Sequence, residues 1–440
     1  MPIIKPAPIS GFPEYLPEVR AAEQHWLDSI RNTFERYGFA NIETPVVERL
    51  DVITAKGEDA DKEIYVLNRI HNDTDDTSDA KLGMHFDLTV PMARYVAQHF
   101  NDLTFPFKRY QMQKVYRGER PQDGRFREFL QCDIDVVNPD HVPLHFDAEI
   151  PSILIEALNT IGVPDFTFHI SNRKILFGYL EALGVKDQQD VMRTLDKRDK
   201  IGDEGVLKVL VDEKGVPLSL AEQCLAPAQI CVRDDSFVER VKALGVTHDG
   251  MEEGLDELAF VTKTLQELGT TNYAIDLSIV RGLDYYTGTV YEGRWNAFPG
   301  FGSICSGGRY ANLCGNFIKR DLPGVGMSIG FTRLFSKMLA EGMVPLGAKS
   351  PAHVLVTLMS DDRRGEILDV ARQLRRRGIN TEVYHAPQTL GKQISYAEKK
   401  GIPYVWFLPR ESGGAHEVKD LRSGEQVTAN ADEWRPHDLV

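Results

Sequence analysis

The sequence predicts an α+β protein followed by a separate C-terminal α/β domain. Three observations predict it. Strand-like runs in the first half are joined by turns and interrupted by helices, the pattern of an antiparallel sheet with flanking helices. Residues 184–265 change character: segments such as VMRTLDKRDKIGDEGVLKVLV, charged and with spaced Leu and Val, read as an inserted helical subdomain. After EGMVPLGAKSP (341–351), a linker by composition, the rhythm becomes strand–helix–strand–helix–strand, which demands parallel pairing through crossover helices.

A chain of 440 residues is too long for one core. The expected division is residues 1–183 and 266–340 as two parts of one sheet-bearing domain, 184–265 as the insertion, 341–351 as the linker and 352–440 as the second domain. Taken in order, residues 18–37 read as a helix, because Val19, Ala22, Trp26, Ile30, Phe34 and Tyr37 recur at spacings of three and four between Pro17 and Gly38. IETPVVE is a short strand that Pro45 confines to an edge or interface. EIYVLNR and LGMHFDLTV flank the acidic loop HNDTDDTSDA as a hairpin, and DLTVPMARYVAQH turns helical just after Pro91. FPFKRYQMQKVYRGER and REFLQCDIDVV are paired strands joined through RPQDGRF, whose Pro121 and Asp123-Gly124 are turn signals. HFDAEIPSILIEALNTIG is helical, DFTFHIS is a strand, and strands resume at NYAIDLSIVRGLDYYTGTVYE. GVGMSIGFTRLFSKMLAEG is a glycine-rich entry into a helix. In the tail, AHVLVTLM, NTEVYHA and PYVWFLP are strands, with DRRGEILDVARQLRRRG and LGKQISYAEKKG as the helices between them.

Composition excludes several classes. No apolar run approaches the roughly 20 residues of a membrane helix, and the prolines in MPIIKPAPISGFPEYLP argue against an export signal. Five scattered cysteines, an odd number without Cys-x-x-Cys, fit a reducing cytosol rather than a disulfide framework or structural zinc. The net charge of −14 resides wholly in residues 1–350, and residues 351–440 are neutral. Within the acidic part, Lys108 to Arg127 carries seven basic residues against Glu119 and Asp123, so the local surface differs from the average.

There is no GxxxxGK[ST], which excludes a P-loop, and GVGMSIG lacks the spacing and βαβ setting of a dinucleotide fingerprint. Phosphate can instead be held by converging arginines, whose planar forks bind its oxygens in pairs. Arg117, Arg120, Arg125 and Arg127 flank the strand-joining loop, Arg333 opens the last helix of the first domain, and Arg281 opens RGLDYYTGTVYE. Asp87 and Thr89 offer acceptors, as do Gln131, Asp133 and Asp135, which share one face of an alternating strand. That face must be wet or hold a ligand; read alone, it is the polar outer face of a half-exposed antiparallel strand. The histidines do not pair at metal-ligand spacings, and Cys305 and Cys314 have no neighbouring histidine or acid to mark a nucleophile.

Four blocks then carry a resemblance. MHFDLTVPMARYV is similar to an amino-acid-binding segment, VYRGERPQDGRFREFLQCDIDVV to motif 2, GVGMSIGFTRL to motif 3, and RGLDYYTGTVYE to a histidine-specific signature. They resemble, in order, the class II aminoacyl-tRNA synthetases, and within them the histidyl-tRNA synthetase family. IETPVVE is a weaker match to motif 1.

The resemblance implies a class II antiparallel catalytic sheet, a C-terminal anticodon-binding domain, a homodimer through the motif 1 region, and cytoplasmic activation of L-histidine with ATP and Mg²⁺. It implies no prosthetic group, with histidine tRNA as the macromolecular partner and neither membrane nor DNA. By the same resemblance, Arg117 and Arg281 would be the catalytic residues: Arg117 at the α-phosphate and substrate carboxylate, Arg281 at the α-phosphate. Glu119 would touch the adenine edge, Phe129 and Arg333 would sandwich the ring, and Arg125 and Arg333 would hold the outer phosphates. Asp87, Thr89 and Gln131 would hold the histidine α-amino group, with Leu88 in the same segment. Asp135 and Tyr286 would meet the imidazole, and Tyr285 would line its pocket. Residues 184–265 would face the tRNA acceptor arm. Strand alternation sends Tyr285 and Tyr286 to opposite faces, so a pocket using both requires an irregular start to that strand.

The chain departs from the family pattern at Met84-His85 and Ala311, both beside the ligand positions. Two non-catalytic readings share the resemblance: a regulatory subunit of histidine biosynthesis, and a tRNA-sensing module. The first would lack an intact RGLDYY and the C-terminal domain; the second would lose the ATP arginines. All of these features are present. In the tail, Arg375–Arg377 of DVARQLRRRG are the candidate phosphate-backbone contacts.

Overall fold

The apolar stripe at the start of the chain forms a helix over Pro17–Arg36, in which Trp26, Ile30 and Phe34 are buried and Gly38 (φ +77°) follows its end. The computed structural model describes residues 3–54, 63–69, 81–122, 124–282, 286–409, 411 and 413–437. They fall into two compact units, Met1–Pro13 with Trp26–Met343, and Glu14–His25 with Val344–Val440.

The strands of the first unit are β1 (Ala40–Asn41), β2 (Val47–Arg49), β3 (Val66–Leu67), β4 (Leu82–Met84), β5 (Phe107–Tyr116), β6 (Glu128–Val137), β7 (Phe166–Asn172), β8 (Cys231–Val232), β9 (Tyr273–Asp276), β10 (Tyr286–Trp295), β11 (Ser303–Tyr310) and β12 (Gly324–Ile329). Among the described residues, nine of them make one sheet in the order β1-β5-β6-β12-β11-β10-β7-β9-β8. From β5 to β7 every pairing is antiparallel, while β1–β5 and β7–β9 are parallel. The order brings the motif 2 hairpin, β5–β6, beside β12, although nearly 190 positions of chain separate β6 from β12. β2, β4 and β3 form a small second sheet, with β2 at its edge beginning after Pro45.

Several expectations are corrected in detail. The helix read as starting after Pro91 runs over Thr89–Gln98, so Pro91 lies in its first turn, where its missing N–H costs nothing. Residues 184–265 hold the helices Gln188–Leu195, Arg198–Lys208, Leu218–Leu225, Phe237–Lys242 and Asp249–Glu267, but they also supply β8 to the edge of the large sheet. They belong to the same compact unit as that sheet. The acidic loop HNDTDDTSDA lies outside the described residues.

The largest correction concerns LQCDIDVV. Its polar face is not half-exposed: Asp133 and Asp135 are 4% and 5% exposed. Alternation sets parity, but what covers a face is decided by distant residues. Here β5 presents Arg109, Gln111 and Gln113 opposite Asp135, Asp133 and Gln131, and all three of the β5 residues are buried too.

The second unit contains β13 (Val354–Val356), β14 (Thr381–Val383), β15 (Tyr404–Phe407), β16 (His416–Asp420) and β17 (Gln426–Ala429), ordered β14-β13-β15-β16-β17. β14-β13-β15 are parallel, with the crossover helices Arg364–Arg376 and Leu390–Lys400. The antiparallel pair β16–β17 completes the sheet. Val354, Leu355, Val356, Val405 and Trp406 are fully buried and form the core with Ile367, Ala371 and Leu374 of the first of those helices.

Candidate active site

A cavity of about 330 Å³ opens over β6, β11 and β12. Its lining includes Arg117, Glu119, Arg125, Phe129, Gln131, Arg281 and Arg333, so residues far apart in sequence converge on one place. Each arginine is held by its own neighbours. The Arg117 guanidinium lies between the rings of Phe86 and Phe129, at 4.3 and 4.9 Å from their centroids, and Nε donates to the Phe86 carbonyl at 3.2 Å. Arg125 Nη1 donates to Glu119 Oε2 at 3.4 Å. Arg281 pairs with Glu292 on β10 at 2.8 Å. Burial raises the Glu292 carboxyl, but Arg281 and Arg294 outweigh that and hold it below the usual range.

Phe129 and Arg333 both line the cavity, and Arg333 also meets a ring that the sequence did not announce. Its guanidinium lies 4.6 Å from the Phe301 ring centroid and donates to the Phe301 carbonyl. Phe301 belongs to the turn Pro299–Phe301, whose sequence, FPGFG, gave no sign that its aromatic would face an arginine.

The residues expected around histidine come from four segments. Gln131 lines the cavity and its Nε2 donates to Ser328 Oγ at 2.8 Å. Asp87 Oδ1 accepts from the backbone N–H groups of Thr89 and Val90 at 3.2 and 3.1 Å, capping the helix that Thr89 opens. Leu88 is fully buried. Asp135 lies deeper: its Oδ2 is 2.6 Å from Arg109 Nη2, and Oδ1 accepts from the Tyr310 hydroxyl at 3.1 Å. The Arg109 contact is one of charge at close range rather than an aligned hydrogen bond, and Nε and Nη1 have no hydrogen-bond partner among the described residues. Gly326 on β12 faces this carboxylate, and a Cβ there would collide with it.

Tyr286 lines a different groove, of about 300 Å³, with Arg173 and His248. Its ring packs against Gly282, whose φ of +70° and lack of a side chain both serve the turn. Arg173 donates to the carbonyls of Gly282 and Tyr286. Tyr310 is the register partner of Tyr286 and links it to Asp135. Tyr285 lies outside the described residues. At the departure from the family pattern, His85 is buried with Nε2 2.6 Å from the Lys114 carbonyl; burial lowers its pKa, so the neutral ring donates there. Cys305 and Cys314 are buried, and burial pushes both thiols up, against any role as nucleophile.

Arg109, Ser328, Phe301 and Tyr310 escaped sequence reasoning. For Arg109 a signal existed: Arg109, Gln111 and Gln113 alternate as Gln131, Asp133 and Asp135 do, and a hairpin can pair two such polar faces.

A largely antiparallel sheet flanked by helices, with arginines from several segments around one cavity, defines a class II aminoacyl-tRNA synthetase catalytic unit. Comparison with known proteins specifies it further. Residues 11–334 match the family model described as histidyl-tRNA synthetase, and residues 352–435 match one described as anticodon binding domain. The chain is 57% identical to the histidine–tRNA ligase of Thermobifida fusca over 98% of both chains. It is 49% identical to that of Micrococcus luteus, covering 98% of this chain and 96% of the relative. The crystal structure of histidyl-tRNA synthetase from Nostoc sp. PCC 7120 superposes with a TM-score of 0.87 at 38% identity, over 98% of each chain. The chain belongs to the histidyl-tRNA synthetase family.

Proposed function

We propose that the chain is a histidine–tRNA ligase, acting through histidyl-adenylate. The observation that carries this is the convergence of Arg117, Arg125, Arg281 and Arg333 on the cavity that Gln131 also lines. Full-length similarity to proteins named as ligases supports catalysis over the regulatory reading.

The histidine carboxylate attacks the α-phosphorus of ATP, and pyrophosphate leaves. The terminal ribose hydroxyl of the tRNA then takes the histidyl group and AMP departs. Charge accumulates on phosphate oxygens in the first step, and the guanidinium groups of Arg117 and Arg281, both in the cavity lining, would meet it. Stacking of Arg117 between two rings limits the reorganisation this requires. Arg281 must give up part of its pairing with Glu292 to reach a phosphate, which leaves Arg294 to balance that buried acid. The described cavity lining offers a cation one carboxylate, Glu119, beside four arginines. This donor set suits Mg²⁺ carried by the phosphates themselves, where the ion would neutralise charge on the outer oxygens.

Residues 352–435 serve as the tRNA anticodon module, and the enzyme works as a cytoplasmic homodimer. No helix among the described residues is long and apolar enough to cross a membrane. The purified chain is expected to catalyse ATP–pyrophosphate exchange that depends on histidine and Mg²⁺. Exchange that no amino acid stimulates would rule out the ligase reading.

A further inference from the structure

We propose that Asp133, to which the family resemblance gives no role, is an additional ligand for the substrate's α-ammonium group and exchanges a proton for it. The inference rests on the histidine reading and adds a residue and a proton to it.

Asp133 sits at the centre of the buried polar layer. It is register-paired with Gln111 of β5 on one side and Ser328 of β12 on the other. Ser328 Oγ accepts from the cavity-lining Gln131, and Ser328 is the register partner of Asp133, so polar groups lead from the cavity to this carboxyl. Gln111 cannot help Asp133 in the same way. Both of its amide hydrogens are committed, to Thr44 Oγ1 at 2.9 Å and Gln113 Oε1 at 2.6 Å.

What remains is a deficit of donors. Asp133 Oδ1, Gln131 Oε1 and Gln111 Oε1 are buried acceptors without partners among the described residues. They occupy adjacent register positions on one face. An unpaired buried acceptor is unfavourable, and three together favour a group that only donates. An ammonium carries three donors and a positive charge.

Charge points the same way. Around Asp133 stand Asp135 on its own strand, Asp87 before the helix that begins at Thr89, and the cation Arg109 on β5; Gln111, Gln131 and Ser328 are neutral. Arg109 is bound to Asp135. Among these groups three carboxyls face one guanidinium, a balance that an added positive charge improves. Burial, reinforced by Asp135 and Asp87, pushes Asp133 up to about 7, so near neutrality it holds a proton part of the time. An arriving ammonium supplies the missing charge and hydrogen bonds. The carboxyl then ionises and its proton passes to solvent. Histidine binding should therefore tighten as pH rises through about 7.

The test uses the full-length protein with three probes: histidine, histidinol, and imidazolepropionate, which lacks the amino group. Asp133→Asn is expected to weaken histidine and histidinol by about tenfold or more and leave imidazolepropionate unchanged. Calorimetry of histidine binding to the unaltered protein in buffers of different ionisation enthalpy is expected to show proton release. The variant should lose the part due to Asp133, since the ligand's own imidazole contributes equally to both proteins. Equal weakening of all three probes, or the same proton count in both proteins, overturns the proposal. An unaltered chain that binds no histidine overturns the histidine reading together with it. A chain that binds histidine, with Asp133→Asn as tight as the original, overturns this inference alone.

Discussion

The two sheets of this chain solve the same packing problem with different residues. In the second unit, Val354, Leu355 and Val356 of β13 and Val405 and Trp406 of β15 are fully buried and apolar. Strands covered on both faces are ordinarily of this kind. In the first unit, Cys132–Val137 of β6 are buried on both faces, yet the face shared with β5 holds Arg109, Gln111, Gln113, Asp133 and Asp135, all buried. Burying such groups costs several kcal/mol unless each is paired, and among the described residues several are not. A sheet that merely had to fold would follow the β13–β15 pattern. The exception adjoins the cavity where the arginines meet, through Gln131, and ligand recognition is the role proposed for it above.

The contrast predicts opposite responses to hydrophobic replacement, and the largest effect is expected at the buried ion pair. Arg109→Leu leaves Asp135 buried without its cation and should destabilise the first unit by about 3–5 kcal/mol. The double replacement of Arg109 and Asp135 by Leu should recover much of that loss while abolishing histidine-dependent exchange. In the second unit, Leu355→Ala only opens a cavity, at about 2–5 kcal/mol. It should lower the melting temperature of that unit and weaken tRNA charging, with exchange retained. Scanning calorimetry with exchange assays on the same samples checks this. If the Arg109→Leu protein melts like the original, the polar layer is not the costly element it is taken to be.

A smaller effect follows from pH. Asp133 has its pKa raised on folding, from 3.8 to about 7, so between those values the folded chain binds more protons than the unfolded one. Stability credited to this group is present at acid pH and falls as pH climbs through that window. Asp133→Asn removes the penalty. It should stabilise the ligand-free protein by about 1 kcal/mol or more at pH 8 and by less at pH 5. A stability difference independent of pH would mean that Asp133 is ionised throughout.

Much of this was legible in the sequence, for reasons that also mark the limits. The α+β class, the change of rhythm after residue 351 and the arginine-bearing blocks follow from local periodicity and residue chemistry. Arg117, Arg125, Arg281 and Arg333 do converge on one cavity. The burial of Asp133 and Asp135 was not legible, because the groups that surround them, Ser328, Tyr310 and Arg109, come from three other strands. Phe301 was missed because no periodicity links a turn aromatic to Arg333. β16 (HEVKD) was missed because it carries too few apolar residues to announce a strand. Tyr286 was expected at the imidazole with Asp135; it lines a groove with Arg173, and its register partner Tyr310, which donates to Asp135, was the part the sequence did not announce.

The tail arginines extend the comparison to the smallest effect. Arg375–Arg377 read as one basic cluster, but the fold uses them differently. Arg375 donates twice to the Thr381 carbonyl, and Arg377 donates to the carbonyls of Ala431, Glu433 and Trp434. Both therefore tie the helix to neighbouring backbone. Arg376 is exposed, with no partner among the described residues. A charge on an open surface is the one available to a phosphate backbone. Arg376→Ala should leave stability within about 0.5 kcal/mol of the original and lower the salt dependence of tRNA binding by roughly one phosphate contact. Arg377→Ala should instead cost about 1–2 kcal/mol of stability in the second unit with an unchanged salt slope. Binding titrations across ionic strength, paired with melting curves, separate the two. If Arg377→Ala shifts the slope while Arg376→Ala does not, the tail arginines act as one electrostatic surface, and their hydrogen bonds within the fold are secondary.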